Sequence, residues 1–497
     1  MIFAVSMTFI DQTIVSIAVP ELQKDLSLSE TGVQWIINGY LLALSALFAF
    51  GGRLADIAGH RRMVVIGVVV FATASALCGA TPTGSAAEAW IIVFRVIQGA
   101  GAALMFPAAL AIVISAFPLQ ERGRAMAIFF AVAGGLTSIG PIAGGYLTEL
   151  DWRAIFWVNI PVAIIALTLI AVAKPSDERR PAPLDYRGAL VIAAGMGLAV
   201  LGLQQSSEWG WGDPLTWVCI VAGLALMAAF VAYELRIENP LIRVRIFTDR
   251  AFALENVVLF LLMIPFIPLF LFASMYAQIS LGEDASNAGL YLLTFFAGFA
   301  VASQIGGRIL DTRGARPSVV LGCLVAAVGF ALWARELPDL SFDSQWPFIV
   351  LAGAGVGLVL GPANTDAINR APRTSYGEAT GITQTVRNFG SSLGLAVLGT
   401  ILILENKSNI ESSLGDLGVP KERADQVADA ITHGGGGDAG RFAEESGHRE
   451  RELFDAVQLD FALSSRTVFY VMAGVMAVAF VIALLALPGG KVEPDGE

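Results

Sequence analysis

Charged side chains are scarce in this chain: Asp, Glu, Lys and Arg make up 15% of 497 residues, against 56% hydrophobic residues and a mean hydropathy of +0.69. A soluble fold of this length cannot bury that much apolar surface, so the composition points to an integral membrane protein. Cysteine is nearly absent. Cys78, Cys219 and Cys323 each stand alone in a different apolar segment, which excludes a disulfide framework or thiolate metal site and leaves them as small buried apolar side chains. The three histidines, His60, His433 and His448, lie outside the apolar segments, so imidazole chemistry within the membrane has nothing to draw on. No Gly-x-x-x-x-Gly-Lys-Ser/Thr phosphate loop occurs, which argues against a built-in ATP-driven motor. Gly353-Ala354-Gly355-Val356-Gly357 looks like part of a dinucleotide fingerprint, but it falls inside an apolar run with no strand before it and reads as helix packing.

Long hydrophobic runs are what the chain has in abundance. Runs of about 17 to 25 residues span a hydrocarbon core roughly 30 Å thick. They lie near 1–19, 34–51, 63–80, 90–116, 125–147, 154–173, 188–205, 215–233, 252–273, 285–306, 318–334, 346–367, 377–404 and 467–487. The expected fold is therefore all-α and membrane-integral, with fourteen transmembrane helices. The first run has no Lys or Arg before it and no small-residue cleavage site after it, so it reads as a spanning helix and not a signal peptide. With both termini cytoplasmic, the inward loops and tail hold nineteen Lys and Arg, and the short outward loops only Lys24, Arg153 and Arg335, as the positive-inside rule requires. All nine tryptophans then fall at outward ends.

One short stretch occurs twice. Gly52-Arg53-Leu54-Ala55-Asp56-Ile57-Ala58-Gly59-His60-Arg61 and Gly307-Arg308-Ile309-Leu310-Asp311-Thr312-Arg313-Gly314-Ala315-Arg316 share five of ten positions, 255 residues apart. Each is a tight basic turn between two expected helices, the first extended by Arg62. Such a repeat implies a duplicated half. Helices one to six then correspond to nine to fourteen, leaving seven and eight as an extra central pair between two pseudo-symmetric six-helix bundles. The implied organisation is 1–173 for the first bundle, 174–250 for a linker with the extra pair, 251–487 for the second bundle and 488–497 for a cytoplasmic tail. Within the second bundle, 405–466 is expected as an outward hydrophilic loop with thirteen acidic and seven basic residues, read as a solvated spacer containing some amphipathic helix or as a screen that attracts cations.

Several polar residues stand out inside the runs. Thr8, Asp11, Gln12 and Ser16 recur at helical spacing in the first run, with Asp11 near mid-membrane, where an ionised carboxylate must be paired or face water. Arg95 carries the only charge in the middle of the fourth run; Arg does not give up its proton and needs a partner, for which Asp11 is expected. Gly140 and Gly144 form a small-xxx-small face beside Pro141 and Gly145, read as close helix packing or as a moving interface. Glu255 and Asp366 lie near expected inward ends and read as snorkelling or paired with loop arginines. Arg387 lies deeper, near Gln384 and Asn388, and is a candidate cavity residue.

These stretches resemble the major facilitator superfamily transporters, in particular the fourteen-helix drug:proton antiporter branch. The resemblance is carried by the repeated turn, by Asp11-Gln12-Thr13-Ile14-Val15-Ser16-Ile17-Ala18-Val19-Pro20, by Arg95-Val96-Ile97-Gln98-Gly99-Ala100-Gly101, and by Gly140-Pro141-Ile142-Ala143-Gly144-Gly145. Ser16 stands where that family usually has Asn. The resemblance implies a proton-coupled antiporter in the cell membrane that exports amphipathic, cationic small molecules by alternating access, functional as a monomer. In it Asp11 would couple protons, while Arg95, Gln98, Thr8, Gln12, Ser16 and Arg387 would line the cavity or assist. Gly52, Arg53, Asp56, Gly59, Arg61, Arg62, Arg308, Asp311, Gly314 and Arg316 would latch the two halves, and Gly140, Pro141, Gly144 and Gly145 would form an exporter hinge. No enzyme activity, cofactor, metal or nucleic acid is expected. A lipid or metabolite exporter is the alternative on the same scaffold, and a membrane-embedded enzyme or receptor the remote one.

Overall fold

The computed structural model describes residues 1–116, 140, 143–174, 185–238, 240–370, 376–416 and 450–490. Among them all regular structure is helical, as a bilayer demands of a chain that must satisfy its own backbone groups. In the first half the helices are α1 (Ile2–Leu26), α2 (Glu30–Ala58), α3 (His60–Gly79), α4 (Ala87–Ala116), α5 (Ala154–Trp157) and α6 (Asn159–Ala173). The central pair is α7 (Tyr186–Trp209) and α8 (Pro214–Glu234). The second half contains α9 (Arg250–Ile279), α10 (Ala285–Arg313), α11 (Ala315–Glu336), α12 (Phe342–Asn369), α13 (Tyr376–Asp416) and α14 (Glu450–Ala486). Counting α5 and α6 together, thirteen described spans are long and apolar enough to cross a membrane. The expected fifth helix falls outside the described residues except for its end, where residue 140 and residues 143–150 are helical; Pro141 also lies outside them.

The duplication is visible residue by residue. α10, α11 and α12 begin at Ala285, Ala315 and Phe342, each 255 residues after Glu30, His60 and Ala87 at the starts of α2, α3 and α4. Contacts repeat with the register: α4 packs on α2 and α3, and α12 packs on α10 and α11. The repeated turns explain their glycines. Gly59 (φ 103°) and Gly314 (φ 84°) each end one helix and start the next in a conformation that side chains other than glycine rarely adopt. The Gly59 and Gly314 N–H groups close the preceding helices on the Ala55 and Leu310 carbonyls at 2.9 and 3.0 Å.

The halves meet where α1 packs on α9 and α10 and where α2 packs on α13. The extra helix α7 lies against α8, α2 and α13, so it touches both halves. Polar side chains mark that junction: Asn38 donates to Gln204 of α7 at 2.7 Å, and Ser392 of α13 donates to Asn38. The three cysteines are buried and free.

Two boundaries differ from the sequence reading. α1 runs past Pro20 to Leu26 because Leu22 and Leu26 remain buried. The expected hydrophilic loop at 405–466 is helical at both ends, α13 reaching Asp416 and α14 starting at Glu450. Asn409 donates to Ser464 at 2.9 Å and Ser413 to Asp460 at 2.7 Å, while Ile410 and Leu414 are buried. Polar rungs and a short apolar stripe thus continue the helices beyond their apolar runs. Residues 417–449, with Gly434–Gly437, His433 and His448, lie outside the described residues.

Candidate functional site

Asp11 on α1 is fully buried, and Arg95 on α4 is 1% exposed. Arg95 Nη1 donates to Asp11 Oδ2 at 2.6 Å and to Gln98 Oε1 at 2.8 Å, while Gln98 Nε2 donates to the other carboxylate oxygen, Oδ1, at 2.7 Å. Arg95 and Gln98 share one face of α4 because they are three residues apart. Arg95 Nε donates to the Ile36 carbonyl at 2.8 Å, and the guanidinium carbon lies 4.5 Å from the Tyr40 ring centroid. Both oxygens of Asp11 are therefore engaged, and the cluster is charge-balanced within the protein interior.

A cavity of about 80 Å³ lies alongside, between the halves. Phe9 and Gln12 of α1, Phe48 of α2 and Phe106 of α4 form one wall; Phe266 of α9, Phe296 and Phe299 of α10, and Gln384, Arg387, Asn388 and Ser391 of α13 form the other. Phe106 packs on Phe9 and Phe48 with ring centroids 5.6 and 5.4 Å apart, and Phe266 stacks on Phe299 at 6.2 Å. Pro107, Pro265 and Pro268 sit inside the lining helices and each removes a backbone donor near the cavity. A larger depression of about 500 Å³, lined by Arg313, Arg316 and apolar residues of α11 and α14, lies away from this seam.

Of the polar face expected on the first helix, Gln12 alone reaches the cavity. Thr8 and Ser16 spend their hydroxyls on the Val5 and Gln12 carbonyls of their own helix at 2.6 and 3.4 Å. Successive residues are about 100° apart around a helix, so Asp11 turns toward α4 while Gln12 turns toward the second half. Arg387 lines the cavity and donates to Gln384 Oε1 at 2.8 Å and Asn364 Oδ1 at 3.5 Å.

The glycines near the fifth helix are close-approach positions. A Cβ on Gly140 would lie 2.0 Å from Thr13 Oγ1, one on Gly144 3.1 Å from Ile14, and one on Gly145 2.6 Å from the Ser286 backbone of α10. In the repeated turns Asp56 pairs with His60 of its own turn at 3.2 Å, and Arg316 donates to the Leu484 carbonyl at 2.8 Å. Arg53, Arg62, Arg308 and Asp311 make no ion pair among the described residues.

Asp366 is paired with Arg370 at 2.6 Å, but Glu255 does not snorkel: it is fully buried beside the Asp366 carboxyl, and no N–H or hydroxyl donates to either of its oxygens among the described residues. It lies on the inner side of α9 despite standing only five residues from that helix's start, a facing that apolar runs alone do not reveal. The Asn38–Gln204–Ser392 junction is also absent from the sequence reading. Three isolated polar residues in three different runs carry no local signal of meeting.

A family model for the Major Facilitator Superfamily matches residues 1–395. The chain belongs to that superfamily. Its membership makes it a multi-pass membrane transporter and not an enzyme. This superfamily chain is 33% identical over 501 residues to the Tetracenomycin C resistance and export protein of Streptomyces glaucescens, across 99% of this chain and 90% of that one. It is 36% identical over 400 residues to the puromycin resistance protein pur8 of Streptomyces alboniger, across 79% and 78%. Among solved structures, a bacterial homolog of the human lysosomal transporter Spinster matches with a TM-score of 0.62 at 17% identity, covering 98% of this chain and 95% of that one, which is a likeness of fold.

Proposed function

We propose that this chain is a proton-coupled exporter of amphipathic small molecules in the cell membrane, acting as a monomer by alternating access. The observation that carries the reading is the Asp11–Arg95–Gln98 cluster, buried beside a cavity that lies between the halves. The names of the two relatives, concerned with export and resistance, support the direction of transport. Protonation of Asp11 cancels the charge that holds Arg95, loosens α1 from α4, and so couples proton entry to a change in the packing around the cavity. The bundles 1–173 and 251–487 would rearrange about that cavity, with the repeated turns as the latch and Gly140, Gly144 and Gly145 as the tight interface. Each proton driven inward supplies about 2.3 kcal/mol per 100 mV, apart from any pH gradient.

The test is export in proteoliposomes with and without an imposed pH gradient, normalised to folded protein. Asp11→Asn should bind cargo yet fail to concentrate it in response to the gradient. Asp11→Asn paired with Arg95→Gln, which restores charge balance, controls for folding. Gradient-driven accumulation by that double variant would place the coupling carboxyl elsewhere.

A further inference from the structure

The charges around the cavity do not balance. Asp11 is consumed by Arg95 and Gln98, and Asp366 by Arg370. Arg387 remains. Its Nη1 meets two amide oxygens, its Nε is buried without an acceptor, and no carboxylate pairs with it among the described residues. Around it the wall is phenylalanine on both sides, with Gln12, Asn388 and Ser391 as further polar anchors.

An arginine in an apolar wall requires a partner, and a guanidinium edge with free donors fits a planar oxyanion in a two-point contact. Flat rings match the aromatic walls. We propose that Arg387 is the charge-reading residue of the cavity and that the cargo is an aromatic acid, a flat ring system bearing one ionised carboxylate. This rests on the export reading and replaces the cationic cargo expected from sequence: a cation would meet Arg387 with no carboxylate in the cavity lining to oppose it. The present volume is below the roughly 300–1,000 Å³ of drug-sized sites, so cargo is admitted when the walls formed by α1, α2 and α4 part from those formed by α9, α10 and α13. Arg387 sits on the second of those walls and Gln12 on the first, so both halves offer a polar anchor beside aromatic rings.

The experiment compares 9-anthracenecarboxylate with 9-(aminomethyl)anthracene, which differ mainly in charge, by equilibrium binding to the full chain in detergent after size exclusion. The wild type should prefer the carboxylate by roughly tenfold or more, equivalent to about 1.4 kcal/mol. Arg387→Gln should reduce that preference to less than about threefold by weakening the carboxylate alone, and Arg387→Lys should keep its direction at reduced size, because the charge stays while the two-point fork is lost. Equal or reversed preference in the wild type, full preference in folded Arg387→Gln, or no binding of either probe would overturn the inference. Export is read separately in proteoliposomes under a pH gradient. Carboxylate preference without gradient-driven movement would defeat the proton-coupling reading and leave the charge assignment standing. Gradient-driven movement of the amine with no carboxylate preference would do the reverse.

Discussion

The two halves share a register but not an interior. On α4, Arg95 and Gln98 reach Asp11; 255 residues later, on α12, the same positions hold Val350 and Gly353. There a Cβ on Gly353 would lie 2.0 Å from the Phe295 carbonyl, so the second half closes α12 directly on α10 where the first half builds a charged clamp between α4 and α1. The second half has its own buried polar groups, placed elsewhere: the Asp366–Arg370 pair with Glu255, and a separate neutral network. Tyr291 donates to Gln345 at 2.7 Å, Gln345 to Tyr276 at 2.6 Å, Tyr276 to the Leu337 carbonyl at 2.7 Å, and Trp333 to Tyr291 at 3.0 Å. A duplicated frame therefore fixes which helices touch without fixing what chemistry they carry. The buried Asp11–Arg95 ion pair lies in the first half, and Arg387, the one charged side chain among the cavity-lining residues, lies in the second.

Removing one side of the clamp should have the largest effect. Asp11→Asn leaves Arg95 buried with an amide for a partner, which should cost about 3–5 kcal/mol. It should appear as a large drop in thermal stability in detergent, and Asp11→Asn with Arg95→Gln should recover most of it. A double variant no more stable than the single one would mean that the two residues do not depend on each other. In the second half, Val350→Ala, at the position equivalent to Arg95, removes no charge and should cost far less.

The frame was legible because its signals are local and repeated: run length, turn glycines, and the 255-residue offset that later appears as helix starts in register. The Asp11–Arg95 pair was also within reach, since two opposite lone charges in two apolar runs have few other partners. The rest was harder for identifiable reasons. Asn38, Gln204 and Ser392 are separated by most of the chain, and nothing in their neighbourhoods links them. The burial of Glu255 depends on which side of α9 faces inward, and the apolar α9 shows no polar stripe to tell the sides apart. The helical ends within 405–466 rest on rungs between α13 and α14, which exist only after the two helices are brought together.

A smaller effect should separate two glycines in equivalent places. Gly51 and Gly306 are 255 residues apart and face Ala103 on α4 and Leu358 on α12, themselves an equivalent pair. A Cβ on Gly51 would lie 2.1 Å from the Ala103 carbonyl, but one on Gly306 would be 3.2 Å from the Leu358 carbonyl. Gly51→Ala should therefore cost about 1–3 kcal/mol through overpacking, with Gly306→Ala below it. Equal melting-temperature shifts would show that the two crossings are as alike as their sequences.

The smallest expected difference is between the repeated turns. Asp56 has His60 one helical turn away at 3.2 Å, whereas the position equivalent to His60 is Ala315, and Asp311 has no such partner among the described residues. The Asp56 carboxylate is 42% exposed, and a pair so open to water contributes at most about 1 kcal/mol. Stability should thus change little in either Asp56→Asn or Asp311→Asn, with the slightly larger loss for Asp56→Asn in mildly acidic buffer, where the imidazole carries a proton. Transport separates latch from ornament. If the turns hold one state of the cycle, both variants should slow turnover at equal expression while leaving cargo affinity unchanged, Asp56→Asn more than Asp311→Asn. His60→Ala should then bring Asp56 down to the behaviour of its counterpart. Should both asparagine variants turn over at the wild-type rate, the repeated charges would serve only to orient the chain in the membrane, and the functional asymmetry between the halves would reside wholly in the clamp and the cavity.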